Sequence, residues 1–134
     1  MIDHITEEMM PAFQGVVPAV IASASAAGVP NATYISQVYY VDDRHVALSR
    51  QFFNKTVRNL AENPMVRVAL TCPITYSIFN LLLRFTGSEQ SGQIFEEMST
   101  QLEAIAGIQG KSDVFNLLSA DIFEVVEIER IYPF

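Results

Sequence analysis

One stretch constrains this chain more than any other: a short helix signal set between two strand signals. His45-Val46-Ala47-Leu48 reads as a strand, and Val66-Arg67-Val68-Ala69-Leu70 resumes as another. Between them, a helix opens at Asn54, a residue type favoured as an N-cap, and stops before Pro64. Lys55 and Thr56 fall in its first turn, where backbone N–H groups lack intrahelical partners. Such a turn, with a lysine in it, attracts anions. Lys55 and Asn59 are placed on one face by their spacing, with Val57, Leu60 and Ala61 on an opposite, apolar face. Helix starts of this composition are common, and most of them bind nothing.

The rest of the chain supplies short strands and few helices. A short helix is predicted over residues 4–13, limited by Pro11. A strand follows over 16–25, with Pro18 at an edge or bulge position, then a turn over 26–30 and one long strand over 31–41. Asp42-Asp43 is a hairpin turn leading into a strand over 45–49. Strands over 65–71 and 76–89 alternate apolar and polar positions. The clearest helix covers 92–106, with Ile94, Phe95, Met98, Leu102 and Ile105 as its apolar stripe and Gly107 just past its end. Strands over 114–118 and 122–131 are predicted to pair as a hairpin around Ser119-Ala120-Asp121, with a bulge at Val125-Val126. The expected fold is mainly β with α, a split β-barrel of about six to seven mostly antiparallel strands with two to three helices, forming a single domain over 1–134.

Three segments together resemble the FMN-binding split-barrel family, the relatives of pyridoxamine 5'-phosphate oxidase. They are Gly15–Ser23 with the turn and strand Pro30–Ser36, then the Asp42-Asp43 turn with its following strand, then the block carrying Asn54-Lys55-Thr56, Asn59-Leu60 and Asn63-Pro64. The last is similar to the family's serine-lysine, asparagine-leucine, asparagine-proline block. Tyr34-Ile35-Ser36-Gln37-Val38-Tyr39-Tyr40-Val41-Asp42 is similar to modules found in front of bacterial sensory domains. The resemblance implies that FMN is the cofactor. Its phosphate would be held by Asn54, Lys55 and Thr56, and its ribityl chain would lie along Ser49 and Arg50. Its ring would lie against Asn31, Ala32, Thr33 and Tyr34, and Asn59 would brace the lysine or the phosphate loop. It also implies a homodimer with flavin at the interface. Tyr34, Tyr39, Tyr40, Phe52 and Phe53 are either packing residues or flank the ring. Asn54 departs from the family's usual serine, and the bulk of Phe52-Phe53 narrows the pocket.

The implied function is a flavin-dependent oxidoreductase acting on a small-molecule substrate. The alternatives are a non-catalytic flavin- or haem-binding sensory module and a cofactor-free dimerisation domain. No side chain stands out as a catalytic acid or base. Half of the 134 residues are hydrophobic, which fits surface committed to a partner. A net charge of −7 argues against nucleic-acid or anionic-membrane partners. His4 and His45 have no neighbour at metal-ligand spacing, so no metal site is expected. Cys72 is alone, so no internal disulfide forms, and with an acidic start lacking a signal-peptide pattern the expected location is the cytoplasm.

Overall fold

The computed structural model describes residues 2–14, 17–51, 55–108 and 117–132. Seven strands form one sheet: β1 (Ala19–Ala24), β2 (Pro30–Ile35), β3 (Val38–Asp42), β4 (His45–Arg50), β5 (Met65–Thr71), β6 (Ile78–Glu89) and β7 (Ser119–Tyr132). Helix α1 (Lys55–Glu62) joins β4 to β5, and α2 (Gln93–Ile108) follows β6. The strand order is β2-β1-β5-β6-β7-β4-β3, with every pairing antiparallel.

The two edge strands, β2 and β3, are consecutive in sequence and separated by Ser36 and Gln37 alone. A step of that length reaches no more than about 10 Å. The sheet must therefore curl until its edges approach, which makes it a barrel with an open seam. The long strand predicted over 31–41 is thus two strands, and its break is the seam.

Alternation on β5 and β6 fills the barrel. Val66, Val68 and Leu70 face Leu83, Leu81 and Phe79, respectively, across the register, and Val46, Leu48, Phe123 and Ile128 complete the same core. Strand β4 is buried on both sides, because Ala47 turns outward against Met98 and Leu102 of α2. A 3₁₀ helix over Glu7–Ala12 adds Met9 and Ala12 to the core. It takes this form because Pro11 has no N–H and its ring would clash with the carbonyl four residues back in an α-helix.

Several local expectations are corrected. Gly107 lies inside α2, and the glycine that matters is Gly92, whose φ of 98° precedes the helix while its carbonyl accepts the Glu96 N–H at 2.9 Å. Ser119-Ala120-Asp121 is no hairpin turn: it opens β7, between β6 and β4. The predicted strand over 114–118 falls mostly outside the described residues. The bulge is present: Leu82 pairs Glu127 and Leu83 pairs Val125, leaving Val126 as the extra residue. The Asp42-Asp43 turn is also present, with Asp42 Oδ1 accepting the Arg44 N–H at 2.9 Å and His45 Nδ1 at the same distance. No helix among the described residues is long and apolar enough to cross a membrane.

Candidate functional site

Helix α1 docks on the β1–β2 hairpin through polar groups. Asn59 Nδ2 donates to Ser23 Oγ at 3.0 Å, and both residues are buried. Asn31 Nδ2 reaches Thr56 Oγ1 at 3.5 Å, and Glu62 Oε1 accepts the Ala26 N–H at 2.9 Å. The buried face of α1 is therefore Thr56, Asn59 and Leu60. Val57 is half-buried and Ala61 exposed, so the expected apolar face is displaced by a mixed one. Lys55 and Asn59 differ in environment: Asn59 sits over β1, whereas Lys55 is exposed in the first turn. That turn carries no acidic residue. Asn54, Phe52 and Phe53 lie outside the described residues.

The end of β4 is held by a second polar group. Arg50 Nε stands 2.9 Å from Asp121 Oδ2, while Asp121 Oδ1 accepts from Ser88 Oγ at 2.7 Å and Ser119 Oγ at 2.9 Å. This network ties β4, β6 and β7 together, and the Asp121 side chain is 6% exposed. Ser49 is buried and accepts from Gln51 Nε2 at 3.0 Å. The same amide donates to Ser36 Oγ at 2.7 Å, joining the end of β4 to the seam.

On β2, Asn31 is half-buried, while Ala32, Thr33 and Tyr34 are exposed, Tyr34 at 77%. Of the other aromatics, Tyr40 packs edge-on against Phe13, and the Tyr39 hydroxyl donates to Glu97 of α2. That bond, with some burial, holds the Tyr39 hydroxyl above the usual phenol range. Among the described members of this set, Tyr34 is the most exposed. Cys72 is buried, and hydrogen bonds from the Thr75 side chain and backbone lower its thiol. Among the described residues no group of His, Cys, Asp and Glu stands ready to hold a metal.

The fold thus gathers Asn31, Lys55, Thr56 and Asn59 around α1, and Ser49 and Arg50 at the end of β4. Asp121, Ser88, Gln37 and Gln51 complete these groups and were not singled out from sequence. Asp121 carried a signal: a carboxylate amid Ala120, Ile122 and Phe123 in a strand needs a cation.

The family model described as pyridoxamine 5'-phosphate oxidase matches residues 5–129. No curated protein matches the chain. Among solved structures, an FMN-binding protein from Syntrophomonas wolfei subsp. wolfei is similar with a TM-score of 0.74 at 15% identity, covering 90% of this chain and 80% of that one. HupZ from Group A Streptococcus gives 0.72 at 19% identity, covering 96% and 95%. HutZ, a haem storage protein from Vibrio cholerae, gives 0.61 at 16% identity, covering 92% of each. Similarity at these identities speaks to the fold.

Proposed function

Since this chain belongs to the pyridoxamine 5'-phosphate oxidase family, we propose that it is an FMN-binding homodimer of the cytoplasm that serves as a flavin-dependent oxidoreductase. The observation that carries the reading is the opening turn of α1. In a chain of net charge −7 it presents an exposed lysine and no acidic side chain. That local excess fits a phosphate. Lys55, Thr56 and Asn54 would hold the phosphate, and Ser49 and Arg50 would accompany the ribityl chain. Asn31 to Tyr34 would meet the ring, and Asn59 would keep α1 seated on β1. Bound FMN supplies reversible electron transfer, which none of this chain's side chains provides.

A second copy would cover the outer face of the sheet. Tyr34, Val20, Ala69 and Asn80 stand in one row across β2, β1, β5 and β6, beside Ala32 and Ala22. Tyr34 and Val20 are exposed, and Asn80 Oδ1 is buried without a donor in the same row. A specific interface there should bury about 1,200 Å² or more in total.

The absorbance spectrum of the purified protein tests the cofactor, and sedimentation at micromolar concentration tests the dimer. Flavin bands, or their appearance on adding FMN with NAD(P)H-dependent bleaching, are expected. A Soret band instead supports the second reading, haem binding, which the fold shared with HutZ favours. Neither signal leaves a cofactor-free dimerisation domain.

A further inference from the structure

The outer face of the sheet is electrically lopsided about β6. Arg67 on β5 and Glu127 on β7 are both register partners of Leu82, so they stand in one row, one on either side of it. Strand spacing sets their backbones about 10 Å apart. Arg67 is exposed, Glu127 is half-buried, and neither makes an ion pair among the described residues. Glu127 opens on a hollow of about 430 Å³ lined by Ile2, Asp3, Val126 and Glu127 itself. The bulge makes this hollow: Val125 and Ile128 are buried, which leaves Val126 and Glu127 side by side on the outer face. Ile2 is held at its rim by two backbone bonds to Ile128, at 3.2 and 2.7 Å. Arg44 stands 3.8 Å from Asp3, so the hollow keeps a negative excess of two carboxylates over one guanidinium.

Apolar walls with carboxylates between them suit a guanidinium on an aliphatic stem. Arg67 is such a group, it is free, and it stands in the row of the hollow. A two-fold rotation about an axis along β6 carries the β5 side of one face onto the β7 side of the other at the same height. The two register partners of Leu82 then become neighbours across the interface, once in each direction. We infer that β6 lies along the two-fold axis of the homodimer and that Arg67 of each copy seats between the partner's Asp3 and the partner's Glu127. Leu82, half-buried and apolar, packs against its own copy on the axis. Arg84 also meets its own copy there, and the Glu124 paired with it in each chain neutralises it. In the next row Ala69 stands on the β5 side and the exposed Glu129 on the β7 side, so no like charges are opposed. The inference rests on the homodimer reading and adds to it the axis and the contact that sets the register of the two copies.

The test is charge reversal read by sedimentation, with circular dichroism as the check on folding. Arg67→Glu sets two carboxylates against a third and should weaken the dimer about tenfold or more. Glu127→Arg should weaken it less, because Asp3 remains. An equal mixture of the two variants is the decisive arm. One contact of the mixed dimer is native and the other is reversed in both partners, so both are attractive. Native mass spectrometry, with one variant labelled with nitrogen-15, should show the mixed dimer above its statistical share. Statistical mixing, or single variants that dimerise as the parent does, overturns the inference and leaves the homodimer intact. A parent chain that sediments only as a monomer overturns both. Should the reversals fail to fold, Arg67→Lys decides: carbodiimide should couple position 67 of a labelled chain to Glu127 or Asp3 of an unlabelled one. Dimers without that link between chains overturn the assignment.

Discussion

Arg50 and Asp121 join the last residue of β4 to the third residue of β7, Nε to Oδ2 at 2.9 Å, in a pair whose side chains are 19% and 6% exposed. Leu48, not Arg50, is the register partner of Asp121, so the arginine reaches diagonally across the ladder. Ser88 and Ser119 saturate the other carboxylate oxygen. Asp121→Asn keeps the shape and removes the charge, leaving the guanidinium without its counter-ion. Losing one member of a fully buried pair costs about 3–5 kcal/mol. The partial exposure of Arg50 lowers the expected loss to about 2–3 kcal/mol, measured by urea unfolding. A loss below about 0.5 kcal/mol would make the pair a bystander.

Asn59 is the hinge between helix and sheet. Asn59→Ala should strip a buried hydrogen bond from Ser23 and destabilise the chain by about 1–3 kcal/mol. The double variant with Ser23→Ala should cost little more than Asn59→Ala alone, because both partners are then gone. Additive losses in that cycle would separate Asn59 from Ser23.

These two contacts mark what the sequence could and could not yield. Strands β5 and β6 were legible because one face is buried, so their alternation is a direct record of inside and outside. The break at Ser36-Gln37 left no mark, since neither residue is a glycine or proline and the break is imposed by closure of the barrel. Ser119-Ala120-Asp121 read as a turn because Ser and Asp favour turns, and the arginine that keeps Asp121 in a strand is 71 positions away. The inward face of α1 was misplaced for the same reason. Pattern reading seeks apolar residues, whereas Thr56 and Asn59 are buried by partners on β1 and β2. The family block around Lys55 was legible as local order and spacing, which need no tertiary knowledge.

Lys55→Ala tests the phosphate assignment. The side chain is exposed, so its charge is partly screened, and a loss of about tenfold in FMN affinity is expected. Riboflavin, which lacks the phosphate, should bind the variant and the parent alike. Isothermal titration with both ligands reads the difference, and parallel losses would move the phosphate elsewhere.

The Tyr39–Glu97 bond gives the docking of α2 a pH window. The bond to Tyr39, then that to Gln93, holds the Glu97 carboxyl below its ordinary value, so its contribution is present above the usual carboxylate range and fades as pH falls through the lowered value. The bond to Glu97, then burial, holds the Tyr39 hydroxyl up, so its contribution is present below the usual phenol value and fades as pH rises through the raised one. Tyr39→Phe should therefore lower the melting temperature most between about pH 5 and pH 9 and least at either extreme. A difference that stays constant down to about pH 3 would trace to packing instead.

The chain should not oxidise pyridoxamine 5'-phosphate at a useful rate, despite its family. That reaction needs a second phosphate site beside the flavin, and closely held phosphates call for clustered cations. Eight basic residues are available in the whole chain. Arg44 lies 3.8 Å from Asp3, Arg50 is held by Asp121, Arg84 by Glu124 and Arg130 by Glu8. Arg130 also lies over the Phe79 ring, 5.4 Å from its centroid. Lys55 is proposed to hold FMN, Arg58 is exposed on α1, Arg67 stands in the outer row with Ala22 and Leu82, and Lys111 lies outside the described residues. Recruiting Arg84 or Arg130 for substrate would mean breaking an existing ion pair. The measurement is aldehyde formation from pyridoxamine 5'-phosphate and oxygen by the FMN-loaded protein, with riboflavin-loaded protein as control. At most a single turnover is expected. Sustained turnover would mean that the partner subunit assembles the second phosphate site from arginines that pair internally within one chain.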